Sequence, residues 1–109
     1  MRLAMDTLAR LEKTIAARVA SGDAASSYVA QLHARGIPTM ARKLGEESIE
    51  AIVAALSGNR SDLIGEAADV LFHLAVLLGA KDVPLAEVMA ELERREGTSG
   101  LDEKAGRSA

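Results

Sequence analysis

Residues 62 to 78 constrain this chain more than any other stretch. Within them only Asp62, Gly65, Glu66, Asp69 and His73 break an otherwise apolar run. At about 100° per residue, Asp62, Glu66, Asp69 and His73 fall within one arc of roughly 60° on a helical wheel. Apart from Gly65, the rest of that wheel is apolar. A helix apolar almost all round belongs in a core. The polar stripe is therefore expected to face a narrow cleft or a neighbouring helix rather than open solvent.

The partner for that stripe lies just upstream. Pro38 suits the first turn of a helix running to Leu56, and on it Glu47 and Glu50 are neighbours on one face, with Lys43 between them on the wheel and Glu46 just beyond. Apolar arcs bound this patch on both sides, through Met40, Leu44 and Ala51 on one and Ile49, Val53 and Leu56 on the other. Residues 57–61 form a short turn, which favours antiparallel packing of the two helices and brings the two acidic patches together. Ser61 is the candidate N-cap of the second helix, which reaches about Leu78.

The remaining pattern is helical too. Leu3, Leu8, Leu11, Ile15 and Val19 predict an amphipathic helix over 3–20. Residues 25–35 predict a second, with Val29 and Leu32 inward and Gly36 closing it. Pro84 opens a short helix over 84–96. No strand pattern and no repeat appears. The fold class is all-α: a helical bundle centred on an antiparallel hairpin. Residues 1–96 read as the domain, and 97–109, small and polar, as a flexible C-terminal tail.

Composition narrows the function. The chain has 109 residues and only two aromatics, Tyr28 and Phe72, so its core must be aliphatic. A core of small side chains in so short a chain is expected to be completed by association, which points to a homodimer. The formal net charge of −3 leaves no footprint for nucleic acid or an anionic membrane. The absence of cysteine excludes thiol catalysis and zinc–thiolate sites. No unbroken apolar run reaches about 18 residues, and residues 1–20 are too charged for a secretory signal. A cytoplasmic protein is expected.

Carboxylates gathered in a low-dielectric cleft repel one another, and their pKa values rise. A hard divalent cation removes that penalty. Oxygen-only ligands select Mg²⁺, Mn²⁺ or Ca²⁺ over zinc, and Mg²⁺ also binds phosphate oxygens, which suits hydrolysis of phosphate esters or anhydrides. Taken singly, Glu-x-x-Glu or Glu-x-x-Asp on a helix is ordinarily a solvated face. The two together, on adjacent helices whose other faces are apolar, are much less common.

Glu47-x-x-Glu50, then fifteen residues, then Glu66-x-x-Asp69 resembles the metal motif of the MazG-like all-α nucleotide pyrophosphohydrolases. Longer stretches resemble, within that superfamily, the phosphoribosyl-ATP pyrophosphohydrolases of histidine biosynthesis. These are Ser27-Tyr28, Lys43 to Glu47, Glu66 to Leu74, and Ser99 to Lys104. Val29 departs from that family's Ser-Tyr-Thr, and residues 36–42 are less typical. The resemblance implies an α-helical, dimeric, Mg²⁺-dependent enzyme that converts N1-(5-phosphoribosyl)-ATP to phosphoribosyl-AMP and pyrophosphate. It implies Glu47, Glu50, Glu66 and Asp69 as metal ligands, Glu46 and Glu47 as catalytic acids or bases, and Lys43 as a phosphate contact.

His73 and Tyr28 each carry two readings. His73 is either a core histidine hydrogen-bonded to an acid or a phosphate or base contact. Tyr28 is either structural or a platform for the substrate base. Three other functions compete: a house-cleaning (d)NTP pyrophosphohydrolase with the same metal site, a non-enzymatic helical dimerisation module, and a di-iron carboxylate protein. The last lacks the Glu-x-x-His pairs such sites use.

Overall fold

The computed structural model describes residues 4–97 and 100–108. Six helices follow one another: α1 (Ala4–Ser21), α2 (Tyr28–Arg35), α3 (Ile37–Ser57), α4 (Arg60–Ala80), α5 (Leu85–Arg94) and α6 (Gly100–Ser108). No strand occurs among the described residues. The bundle expected from periodicity is present, and α3 and α4 form its central hairpin, with the most extensive packing of any pair. The expected start of the first helix at Leu3 lies outside the described residues, as does Ser99.

The hairpin turn is tight for a steric reason. A Cβ on Gly58 would stand 2.9 Å from the Ala54 carbonyl oxygen, so no larger residue fits without movement. The N-cap of α4 is Asn59, two residues ahead of the predicted Ser61. Its side-chain oxygen accepts from the Asp62 amide at 2.8 Å. Such caps are worth about 0.5–2 kcal/mol. Asp62 in the first turn also complements the helix dipole.

The second helix begins at Tyr28, later than the predicted residue 25. The hydroxyl of buried Ser27 caps it by accepting from the Ala30 amide at 3.2 Å. Gly36 ends α2 and starts α3 at φ 98°, a left-handed conformation that L side chains rarely adopt. Pro84 precedes α5 rather than lying in its first turn, and no side chain of its own caps that helix. Glu12 of α1 does so instead, its carboxylate accepting from the Leu85 amide at 2.7 Å.

The core joins Ile15 of α1, Val29 and Leu32 of α2, Met40 of α3, and Ala75 and Val76 of α4. It is aliphatic, as composition required; each large side chain buried stabilises by about 1.5–3 kcal/mol. It covers only part of α4. Leu63, Ile64 and Leu71 are exposed within one chain, as are Ile49, Ile52, Val53 and Leu56 of α3, with Leu56 at 83%. A single chain therefore covers only part of the apolar surface of α4: one side of the hairpin is packed and the other stands open. By length and mean hydropathy, 1.7, α4 would also suit a bilayer. Its mid-helix Glu66 and Asp69, and its packing along α3, are those of a bundle helix.

α5 buries no residue. The segment beyond Gly97, read from sequence as a polar tail, is helical over Gly100–Ser108, and Leu101 on it is exposed.

Candidate functional site

The hairpin brings the two acidic patches together. Glu47 of α3 and Glu66 and Asp69 of α4 each offer an oxygen, and these lie within 4.8 Å of one another. The i, i+3 spacing of Glu66 and Asp69 puts both on the face of α4 that meets α3. Glu50, one turn after Glu47, hydrogen-bonds to it and acts electrostatically on Glu66. It borders the cluster, while the tight set is Glu47, Glu66 and Asp69.

The electrostatics are those of uncompensated acids. Glu47, its side chain only 13% exposed, is pushed up from 4.5 to about 7. The hydrogen bond with Glu50 is the first cause, followed by desolvation and repulsion from Glu50 and Asp69; Lys43 opposes the rise. Burial raises the Glu66 carboxyl too, helped by Glu50, Asp69 and Asp62. One Glu66 oxygen, Oε2, is buried with no hydrogen-bond partner. A buried acceptor without a donor is costly. A cation would satisfy that oxygen and neutralise the acids, and a donor set of carboxylate oxygens fits a hard divalent ion such as Mg²⁺. Beside the cluster, a groove of about 350 Å³ is lined by Glu50, Asp62 and Glu66 with Ile49, Val53 and Ala54. It gives the carboxylates access to solvent and to a ligand.

Lys43 and Glu46 lie one turn before Glu47. The Lys43 ammonium is 3.4 Å from Glu46 and 3.8 Å from Glu47. It is pushed up first by its electrostatic interaction with Tyr28 and then by its hydrogen bond to Glu46. Glu46 is exposed, pairs with Arg42 and Lys43, and stands outside the tight set.

His73 is 5% exposed. Its Nδ1 lies 2.8 Å from the Asp69 carbonyl oxygen and its Nε2 lies 3.1 Å from the Tyr28 hydroxyl. The partner expected for a core histidine was an acid; the structure supplies a carbonyl and a phenol. The Tyr28 ring stacks on Phe72 at 6.1 Å, and the residue is half exposed. No sequence signal pairs Tyr28 with His73, because their meeting depends on how α2 crosses α4. Asp62 at the groove's edge was visible in the acidic stripe but has no place in the Glu-x-x-Asp motif.

A second, larger groove of about 570 Å³ runs between α1 and the end of α4. It is mainly aliphatic and contains none of the clustered acids.

Residues 8–96 match the family model described as phosphoribosyl-ATP pyrophosphohydrolase. The chain is 62% identical over 103 residues to the phosphoribosyl-ATP pyrophosphatase of Novosphingobium aromaticivorans, covering 94% of this chain and 95% of that protein. It is 60% identical over 103 residues to that of Erythrobacter litoralis, covering 94% and 98%. Against that of Rhizorhabdus wittichii it is 60% identical over 101 residues, covering 93% and 94%.

Proposed function

The chain belongs to the phosphoribosyl-ATP pyrophosphohydrolase family, and from that premise we propose that the α3–α4 groove hydrolyses N1-(5-phosphoribosyl)-ATP with Mg²⁺ held by Glu47, Glu50, Glu66 and Asp69. The products are phosphoribosyl-AMP and pyrophosphate, and the step belongs to histidine biosynthesis. The observation that carries this reading is the trio Glu47, Glu66 and Asp69 within 4.8 Å, with one Glu66 oxygen buried and unpaired.

A polyphosphate cannot approach a cluster of carboxylates unless their charge is offset. Held by Glu47, Glu50, Glu66 and Asp69, Mg²⁺ would offset that charge and would supply Lewis-acid activation of phosphate and water. The protein's own groups do the rest. The carboxylates must give up the proton that Glu47 holds near neutral pH, so loading releases protons. Lys43, at the cluster's edge, meets a phosphate oxygen and offsets charge on the departing pyrophosphate. Glu46, exposed and sharing Lys43 with Glu47, orients the attacking water and takes its proton. Tyr28, half exposed, offers a platform for the base.

The open apolar side of α3 and α4 beyond the groove, including Leu56 and Ile64, is the surface a second copy would cover. A homodimer is the expected assembly, and sedimentation as an 11.4 kDa monomer at micromolar concentration would overturn it. The cytoplasm, where a soluble nucleotide substrate is at hand, is the expected location.

The decisive assay compares purified protein on phosphoribosyl-ATP and on a panel of (d)NTPs with Mg²⁺. The expected result is release of pyrophosphate with strong preference for phosphoribosyl-ATP. Equal or faster turnover of a (d)NTP would reassign the substrate. No Mg²⁺-dependent release from any nucleotide would remove the enzymatic reading.

A further inference from the structure

Three aromatic rings meet where α2 packs on α4. Tyr28 and Phe72 stack at 6.1 Å with 18° between their planes, and both meet His73 edge-on, at 5.8 and 5.1 Å. His73 is buried, and both of its ring nitrogens are taken. Nδ1 lies 2.8 Å from the Asp69 carbonyl, which can only accept, so Nδ1 carries a hydrogen. Nε2 lies 3.1 Å from the Tyr28 hydroxyl, which donates to a bare nitrogen and accepts from a protonated one. Neither state of the ring leaves His73 a nitrogen for a phosphate or a base. Tyr28 differs: it is 46% exposed, yet its hydroxyl is bonded to a buried ring.

We infer that His73 is a positioning residue that acts through Tyr28: anchored on the backbone of Asp69, it holds the tip of the Tyr28 ring so that this ring stays set to receive the substrate's purine base. Asp69 belongs to the tight acid set, so two hydrogen bonds tie the Tyr28 hydroxyl to the turn of α4 that carries one of those carboxylates. A tyrosine side chain turns about two torsions. The stack on Phe72 limits the tilt of the ring plane, and the bond to His73 fixes its far end. A ring fixed in advance loses little freedom when a base stacks on it, and the flat face of a purine suits such a ring. This inference rests on the pyrophosphohydrolase reading, with Tyr28 as the platform for the base.

The test is a double-mutant cycle with Tyr28→Phe and His73→Leu, with kcat and KM on phosphoribosyl-ATP read separately. Tyr28→Phe keeps the ring and removes only the hydroxyl. It is expected to raise KM about three- to tenfold, the scale of one lost hydrogen bond, with kcat within about twofold and the Mg²⁺-induced thermal shift retained. His73→Leu should raise KM by a similar factor. The double variant should be no worse than either single one, because both changes remove the same bond. Losses that multiply in the double variant would overturn the inference, as would an unchanged KM in Tyr28→Phe. Tyr28→Ala, which removes the platform itself, should raise KM at least about tenfold; a smaller effect than that of Tyr28→Phe would also overturn it. Nitrogen-15 spectra of His73 in the wild type and in Tyr28→Phe provide an arm that needs neither turnover nor the folding of His73→Leu. They should show a hydrogen on Nδ1 and an Nε2 resonance that moves when the hydroxyl is removed; an Nε2 resonance that stays put would break the link. A wild-type protein that released no pyrophosphate would defeat the functional reading, while the spectra would still decide the hydrogen bonds.

Discussion

Glu47 on α3 and Glu91 on α5 are glutamates of the same fold pulled in opposite directions. Glu47 is raised to about 7 by a neighbouring acid and by burial. Glu91 is lowered to about 2 by hydrogen bonds from Arg94 and then Arg95, at 2.7 to 2.9 Å. The second is a charge whose compensation the helix carries within its own next turn. The first is one of several charges with a single lysine among them. Compensation built into the chain marks a structural pair; compensation left out marks a candidate functional site. The two regions should therefore answer opposite ways to the same perturbations.

The largest difference should come from Glu47→Gln. It removes a charge that the fold holds with difficulty, so the metal-free protein should be as stable as wild type or more so at pH 8. It also removes a proposed ligand and a negative charge that would offset Mg²⁺. Turnover of phosphoribosyl-ATP should fall at least about 100-fold, the scale of a lost catalytic electrostatic contact. Helical circular dichroism should be unchanged. Near-normal turnover in this variant would end the claim for Glu47 in the metal site.

Mg²⁺ itself should separate the regions next. At 100 times its Kd it should stabilise the wild type by about 2.7 kcal/mol if the unfolded chain does not bind it. Calorimetry in MgCl₂ against NaCl of equal ionic strength measures this. A rise equal in both salts would mean screening and not a site. Glu66→Gln, which replaces the buried unpaired oxygen's carboxylate, should abolish the Mg²⁺-specific part.

Acidity gives a third contrast, and its sign differs between the two glutamates. The folded state holds the Glu47 proton up to about 7, against 4.5 for an ordinary glutamate. Its contribution to stability is therefore present below 4.5 and lost as pH rises through 7. Glu66 adds a loss of the same sign. The Glu91 contribution is present above 4.5 and lost as pH falls toward 2. In EDTA the melting temperature should fall by roughly a few degrees between pH 5.5 and pH 8. Saturating Mg²⁺ should flatten or reverse that slope. A metal-free melting temperature that climbed over this range would contradict the crowding of the acids.

Much of the site was legible because it follows from period and connection length. A stripe at i, i+3 and i+4 fixes which face Glu66 and Asp69 share, and a link as short as Gly58-Asn59 forces that face against Glu47. What escaped depends on tertiary packing. Tyr28 and His73 are 45 positions apart, and Glu12 and Leu85 are 73 apart; neither spacing carries a local signal. Asn59 and Ser61 are both good caps, and only the backbone path decides which side chain reaches an amide two or three residues on. The apolar circumference of α4 points to burial without saying which side the chain itself covers; Leu63, Ile64 and Leu71 are open in one protomer. Helix α6 was missed because two glycines and little apolar periodicity describe a poor helix former.

The smallest effect should come from the mirror substitution, Glu91→Gln. It removes the acceptor charge of the Arg94–Glu91–Arg95 cluster, whose members are three and four residues apart on one exposed helix. Such surface pairs contribute little, because water already solvates each charge. The amide can still accept one hydrogen bond, and α5 buries no residue of its own whose packing would follow. The melting temperature should drop slightly at pH 7, and the drop should shrink in high salt as screening replaces the pair. Turnover should stay within about twofold of wild type and the Mg²⁺-specific thermal shift should be unchanged, within the additivity expected of distant sites. At pH 8, above the value of about 7 at which Glu47 ionises, Glu47→Gln and Glu91→Gln remove the same charge from the same residue type, so the general effect of net charge on substrate approach is matched. A large loss of turnover in Glu91→Gln would mean that α5 reaches the substrate, and the division between structural and functional acids would have to be redrawn along the chain.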